Sequence, residues 1–141
     1  MRSGIIRPLL LILMLVVAPV RAEYAVIVNP QLEIEHLDKI DIQNIYLAKT
    51  GSFPNGEWVI PVDHKKGAPL RNAFYESVLE RTEAQLKSYF SRLVFTGKGS
   101  PPRTLEDDDS IKKQVQTNKS VIGYVDSKSV DNTVKVVFTF E

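Results

Sequence analysis

The 141-residue chain has no cysteine, two histidines, one tryptophan and almost no excess of charge: 18 basic residues face 17 acidic ones. Without cysteine there is no disulfide scaffold, no thiol nucleophile and no cysteine-type zinc site. Histidine is as scarce, and His36 and His64 form no i, i+4 ligand pair on a helix. A near-neutral chain also lacks the strongly basic surface expected of a general nucleic-acid or anionic-membrane binder. Long apolar runs are missing as well. The longest, at Leu9 to Val17, is too short to span a bilayer comfortably.

That run has a different reading. Arg2 and Arg7 precede or open it, and Val20-Arg21-Ala22 supplies small residues before Glu23. Charged start, short apolar middle and small-residue exit describe a secretory signal peptide over residues 1–22, cleaved after Ala22. The expected location is then the periplasm, with no stable membrane insertion after cleavage. Removing 22 residues from 141 leaves 119, and removing Arg2, Arg7 and Arg21 leaves 15 basic against 17 acidic residues, a net charge of −2. Residues 23–141 are enough for one domain with a real core.

Pattern and punctuation divide this domain. Tyr24 to Val28 is β-rich and stopped by Asn29-Pro30. Leu37 to Lys49 reads as a helix capped by Asp38 or Asp41. Trp58 to Val62 is a second strand, followed by a helix from Ala68 to about Glu80. Thr82 with Gln85 forms a capping box, opening a helix whose Leu86, Tyr89, Phe90, Leu93 and Val94 share a face. Gly97 to Arg103 reads as a loop. Thr104 and Asp107 are candidate caps for a helix ending near Thr117, and Val121–Val125 and Val134–Phe140 are the last strands. The expected class is α/β with a small, mostly parallel or mixed sheet flanked by helices. Trp58, Phe74, Leu86, Phe90 and Tyr124 are the expected core, and full burial of Phe90 would make its truncation cost roughly 3–5 kcal/mol.

Catalytic and cofactor signatures do not hold together. Glu106 to Asp109 is acidic but lacks the alternation and glycine of a calcium loop. Gly51 and Gly56 have P-loop spacing, yet Glu57 stands where lysine is needed. No GxSxG occurs, and Ser77 and Ser88 have no obvious base. No enzymatic activity, metal or cofactor is expected.

The stretch Glu57–Phe74, EWVIPVDHKKGAPLRNAF, carries more information. A short strand runs through a basic, glycine-containing turn onto a helix with Pro69 at its start. Such a start exposes unpaired N–H groups at the positive end of the helix dipole. His64, Lys65, Lys66, Gly67, Ala68 and Arg71 are therefore the candidate ligand-binding residues, and a small anion the candidate ligand. The run IYLAKTGSFPNGEWVIPVDHKKGAPLRNAF, together with FTGKGSPP at Phe95–Pro102 and VIGYVD at Val121–Asp126, resembles the phosphate-binding proteins of bacterial phosphate ABC transporters.

The resemblance covers most of residues 40–126. It implies one lobe of a type II periplasmic solute-binding fold, an oxyanion ligand (phosphate in that family), and a role in ABC transport or sensing. The family's ligand loop carries an arginine and then a Ser-Gly-Thr run. Aligned on Gly67, this chain has His64 at the arginine position and Ala68, Pro69 and Leu70 in place of the run. Three side-chain donors and one N–H are thereby absent, so weak binding is expected. The family closes two lobes on its ligand, and the length here matches one. A second copy of the chain or another envelope protein is the expected source of the other wall. The alternative reading is a module that kept the fold, lost the ligand and acts as a protein-interaction partner in an envelope complex.

Overall fold

The structure, a computed structural model, describes residues 4, 13–17 and 23–141. Most of the expected signal segment, residues 1–22, lies outside the described residues. Among the described residues no helix is long and apolar enough to cross a membrane.

Five strands form one mixed sheet: β1 (Tyr24–Val28), β2 (Ile60–His64), β3 (Arg103–Leu105), β4 (Val121–Asp126) and β5 (Lys135–Phe140), in spatial order β3-β2-β4-β1-β5. β2 runs parallel to β3 and β4, whereas β1 is antiparallel to β4 and β5. The strand β3 falls where the sequence reads as loop and cap. Its three residues are half-buried or exposed, so no apolar alternation marks them.

Helices cover both faces. α1 (Lys39–Tyr46) and α2 (Pro69–Phe74) lie on one, and α2 continues into a π-helical turn at Tyr75–Leu79. Their core joins Val26, Val28, Ile122 and Tyr124 of the sheet to Ile42, Ile45 and Phe74. Phe74 stacks on Tyr124 with ring centroids 3.9 Å apart. α4 (Asp108–Thr117) covers the opposite face with Ile111 and Val115 packed on Ala25, Ile27, Val62 and Val125. Asn29 closes the C-terminus of α4, its side-chain amide donating to the carbonyls of Val115 and Gln116 at 3.0 Å each. Such carbonyls have no partner inside a helix.

α3 (Glu83–Phe95) differs from the others. Its capping box forms as expected, with Gln85 N–H donating to Thr82 Oγ1 and Thr82 N–H to Gln85 Oε1. Yet Leu86 is its one buried residue. Phe90 is half-buried, and Val94 and Phe95 are exposed at 57% and 92%. Phe74, Leu86 and Tyr124 are buried as the pattern suggests, but Trp58 is 79% exposed: its neighbour Val59, at 8%, is the one turned inward, and successive side chains of extended backbone point to opposite sides.

Candidate ligand turn

β2 is the second strand from the edge, paired with β3 and β4, and Val62, Asp63 and His64 are all buried. Two polar side chains in such a position must be hydrogen-bonded or carry a large desolvation cost. Asp63 is met from three directions. Its Oδ1 accepts from the His64 N–H at 2.8 Å and from the Tyr124 hydroxyl, and its Oδ2 accepts from the Tyr75 hydroxyl at 2.5 Å. Tyr46 completes the floor by donating to the Val62 carbonyl at 2.9 Å. Burial first, and then the Asp63 charge, push the hydroxyl pKa values of Tyr46, Tyr75 and Tyr124 upward, so all three remain donors.

His64 belongs to this interior. Its Nε2 lies 2.7 Å from the Tyr124 carbonyl, and because a carbonyl only accepts, the Nε2 carries the proton. Asp108 Oδ1 is 3.6 Å from the same nitrogen. The ring therefore packs inward and does not reach the turn that follows it.

The turn spans Lys65 to Ala68. Gly67 has φ +89°, a left-handed conformation that glycine adopts without steric cost. Ala68 is the N-cap and Pro69 the first helical residue, so no side chain caps this helix. The N–H groups of Lys66, Gly67 and Leu70 donate to no other group among the described residues. Lys65 is exposed and pairs with Glu106 at 3.3 Å. Lys66 has no ion-pair partner among the described residues.

Arg71 turns away from the loop opening. Its Nη1 donates to the His64 carbonyl at 2.8 Å and its Nη2 to Glu83 Oε2 at 3.1 Å. Nε sits 2.7 Å from Glu83 Oε1, close as an ion pair but off the hydrogen-bond direction. The guanidinium also lies over the Tyr75 ring, 5.0 Å from its centroid. Burial opposes its charge, but the bond to Glu83 and the nearby Asp63 charge outweigh it and hold the pKa above the ordinary arginine value. Arg71 thus ties β2, α2 and α3 together.

The six residues singled out in sequence divide accordingly. Lys66, Gly67 and Ala68 line the open turn, Lys65 flanks it, and His64 and Arg71 brace it from inside. Asp63, Tyr75 and Glu83 were not singled out. Asp63 carried a readable signal, a carboxylate within an apolar strand, whereas its hydroxyl partners lie up to 61 residues away.

Beside the turn, a groove of about 960 Å³ runs between α3 and the segment Pro101–Thr104. Asp63, Arg71 and Glu83 reach its floor, and Leu86, Phe90, Val94 and Phe95 form its helical wall.

A five-stranded mixed sheet with helices on both faces can be matched among solved structures. The fold is that of one lobe of a phosphate-binding protein. A protein assigned as a phosphate ABC transporter substrate-binding protein from Clostridium perfringens, solved with bound phosphate, superposes over 82% of this chain with a TM-score of 0.67 and 22% identity. An ABC-type phosphate transport receptor from Vibrio cholerae matches 82% of the chain with a TM-score of 0.62 and 16% identity. PstS from Borrelia burgdorferi does so at 0.59 and 8%. This chain spans 45%, 46% and 47% of those chains, respectively. At these identities the likeness is one of fold. No protein-family model and no curated protein sequence matches the chain.

Proposed function

We propose that this chain is an exported, non-enzymatic anion-binding lobe of the bacterial envelope, holding a small oxyanion weakly at the Lys66–Leu70 turn in connection with transport or sensing. The observation that carries this reading is the open turn itself. Three backbone N–H groups without described partners and the Lys66 ammonium lie within the five residues where a strand feeds a helix. The fold relation to a protein solved with phosphate supports the choice of oxyanion.

Weakness follows from the same geometry. Arg71 and His64 are engaged internally, and Ala68 and Leu70 offer no hydroxyl. An anion held by N–H groups and one exposed ammonium keeps part of its hydration, and exposed charge pairs contribute about 0–1 kcal/mol each. Affinity near millimolar, roughly −4 kcal/mol, is expected. Tighter binding needs a second wall, from another copy or a different protein. Calorimetric titration of the mature chain with phosphate and sulfate tests this reading. Near-millimolar binding lost in Lys66→Gln supports it, and the absence of any binding refutes it.

A second reading has its own observation. The saturated Arg71 and the exposed apolar end of α3 favour a module that kept the fold and now serves as a protein-interaction partner in an envelope complex.

A further inference from the structure

α3 leaves an unusual amount of apolar surface facing the groove. Leu86, Phe90 and Val94 recur at i, i+4 and i+8, with Phe95 beside them, and Pro101 and Pro102 form the facing wall. The polar floor is hydrogen-bonded from within: Arg71 and Glu83 pair with each other, and Asp63 accepts from the two tyrosines and the His64 N–H. Two other charged groups line the groove, Lys66 from the turn and Lys87 from α3. Neither forms an ion pair among the described residues.

An apolar surface flanked by unpaired ammonium groups is complementary to one kind of small molecule. The volume falls within the range of small-molecule sites, roughly 300–1,000 Å³. A purely apolar ligand would leave the two exposed ammonium groups at the groove without a counter-charge. A small hydrophilic anion would leave Leu86, Phe90, Val94 and Phe95 in water. We propose that the groove binds an amphiphilic carboxylate, its head at Lys66, the residue of the turn that lines the groove, and its aliphatic body along α3 between Phe95 and the two prolines. This inference rests on the anion-binding reading of the turn and names the ligand class of that site.

The test compares head group and chain separately, using acetate, octanoate, decanoate and phosphate titrated into the mature protein below the micellar range. Burial of each methylene should tighten binding by roughly twofold in an open groove, up to about fourfold when fully enclosed. Decanoate, eight methylenes longer, should therefore bind at least about 250-fold more tightly than acetate. Val94 and Phe95 are exposed, so replacing both with serine leaves the core intact. That double variant should lose at least about fivefold in decanoate affinity with phosphate unchanged, while Lys66→Gln should weaken both ligands. Phosphate binding with decanoate no tighter than acetate would overturn the amphiphile and leave the anion site standing. Binding of none of the four would overturn both. Decanoate binding unaffected by V94S/F95S would also contradict this assignment.

Discussion

Asp63 is the residue on which the turn rests. It sits at the end of β2 with 3% exposure, and its charge is held by two tyrosine hydroxyls and a backbone N–H. Hydrogen bonds to a charged group contribute about 1.5–3 kcal/mol. Tyr75→Phe, which removes one of them without changing shape, should cost about that much in urea denaturation. The same network makes stability pH-dependent on the alkaline side. Tyr46, Tyr75 and Tyr124 have folded-state pKa values raised above the ordinary value of 10.0, first by burial and then by the Asp63 charge. A raised pKa means the fold favours the protonated hydroxyl. The associated stability is complete below the unfolded-state value and is lost as pH rises above it. Unfolding free energy should therefore show no tyrosine-linked fall up to about pH 9 and a decline above about pH 10, shallower in Y75F. A steep loss between pH 7 and 9 would contradict this network.

At the scale of elements, contact closeness separates α4 from α3. A Cβ added at Gly123 would stand 2.5 Å from Ile111 Cγ2 and 3.2 Å from Val62 Cγ2, so α4 lies almost directly on β4. Gly123→Ala should destabilise by about 1–3 kcal/mol through overpacking, measurable as a lower denaturation midpoint at unchanged slope. α3 buries Leu86 alone, whereas α4 buries Ile111 and Val115. Its last two turns should exchange amide hydrogens markedly faster than α4, since low burial permits local opening. Phe90→Ala should cost about 1–2 kcal/mol, below the roughly 3–5 expected of a fully buried ring. The 3.6-residue period of α3 was legible in sequence, and so was its capping box. What covers its apolar face was not, because periodicity reveals that a face is apolar and not that a partner lies against it. Likewise β1 was legible to the residue from its β-branched run and the Asn29-Pro30 stop. β3 was invisible because its pairing with β2 is a long-range event in a polar segment.

At the scale of the whole molecule, the one-lobe α/β class was readable from the order of strand, turn and helix and from the family resemblance of residues 40–126. The sense of β1 was not, since the antiparallel pairing of Tyr24 with Asp126 and with Phe140 depends on how the chain returns to the sheet. Of the candidate site, the glycine turn and Lys66 were accessible to sequence reasoning through the punctuation Gly67-Ala68-Pro69. The internal engagement of Arg71 was not, because its partner Glu83 reads in sequence as an ordinary first-turn acid. These scales meet at the open N–H groups of the turn. Nitrogen-15 NMR titration of residues 23–141 with phosphate reads them directly. Shifts centred on Lys66, Gly67 and Leu70, saturating near millimolar phosphate in a monomer, are the expected result. Sub-micromolar binding by a strict monomer, or shifts confined to residues away from this turn, would contradict the account.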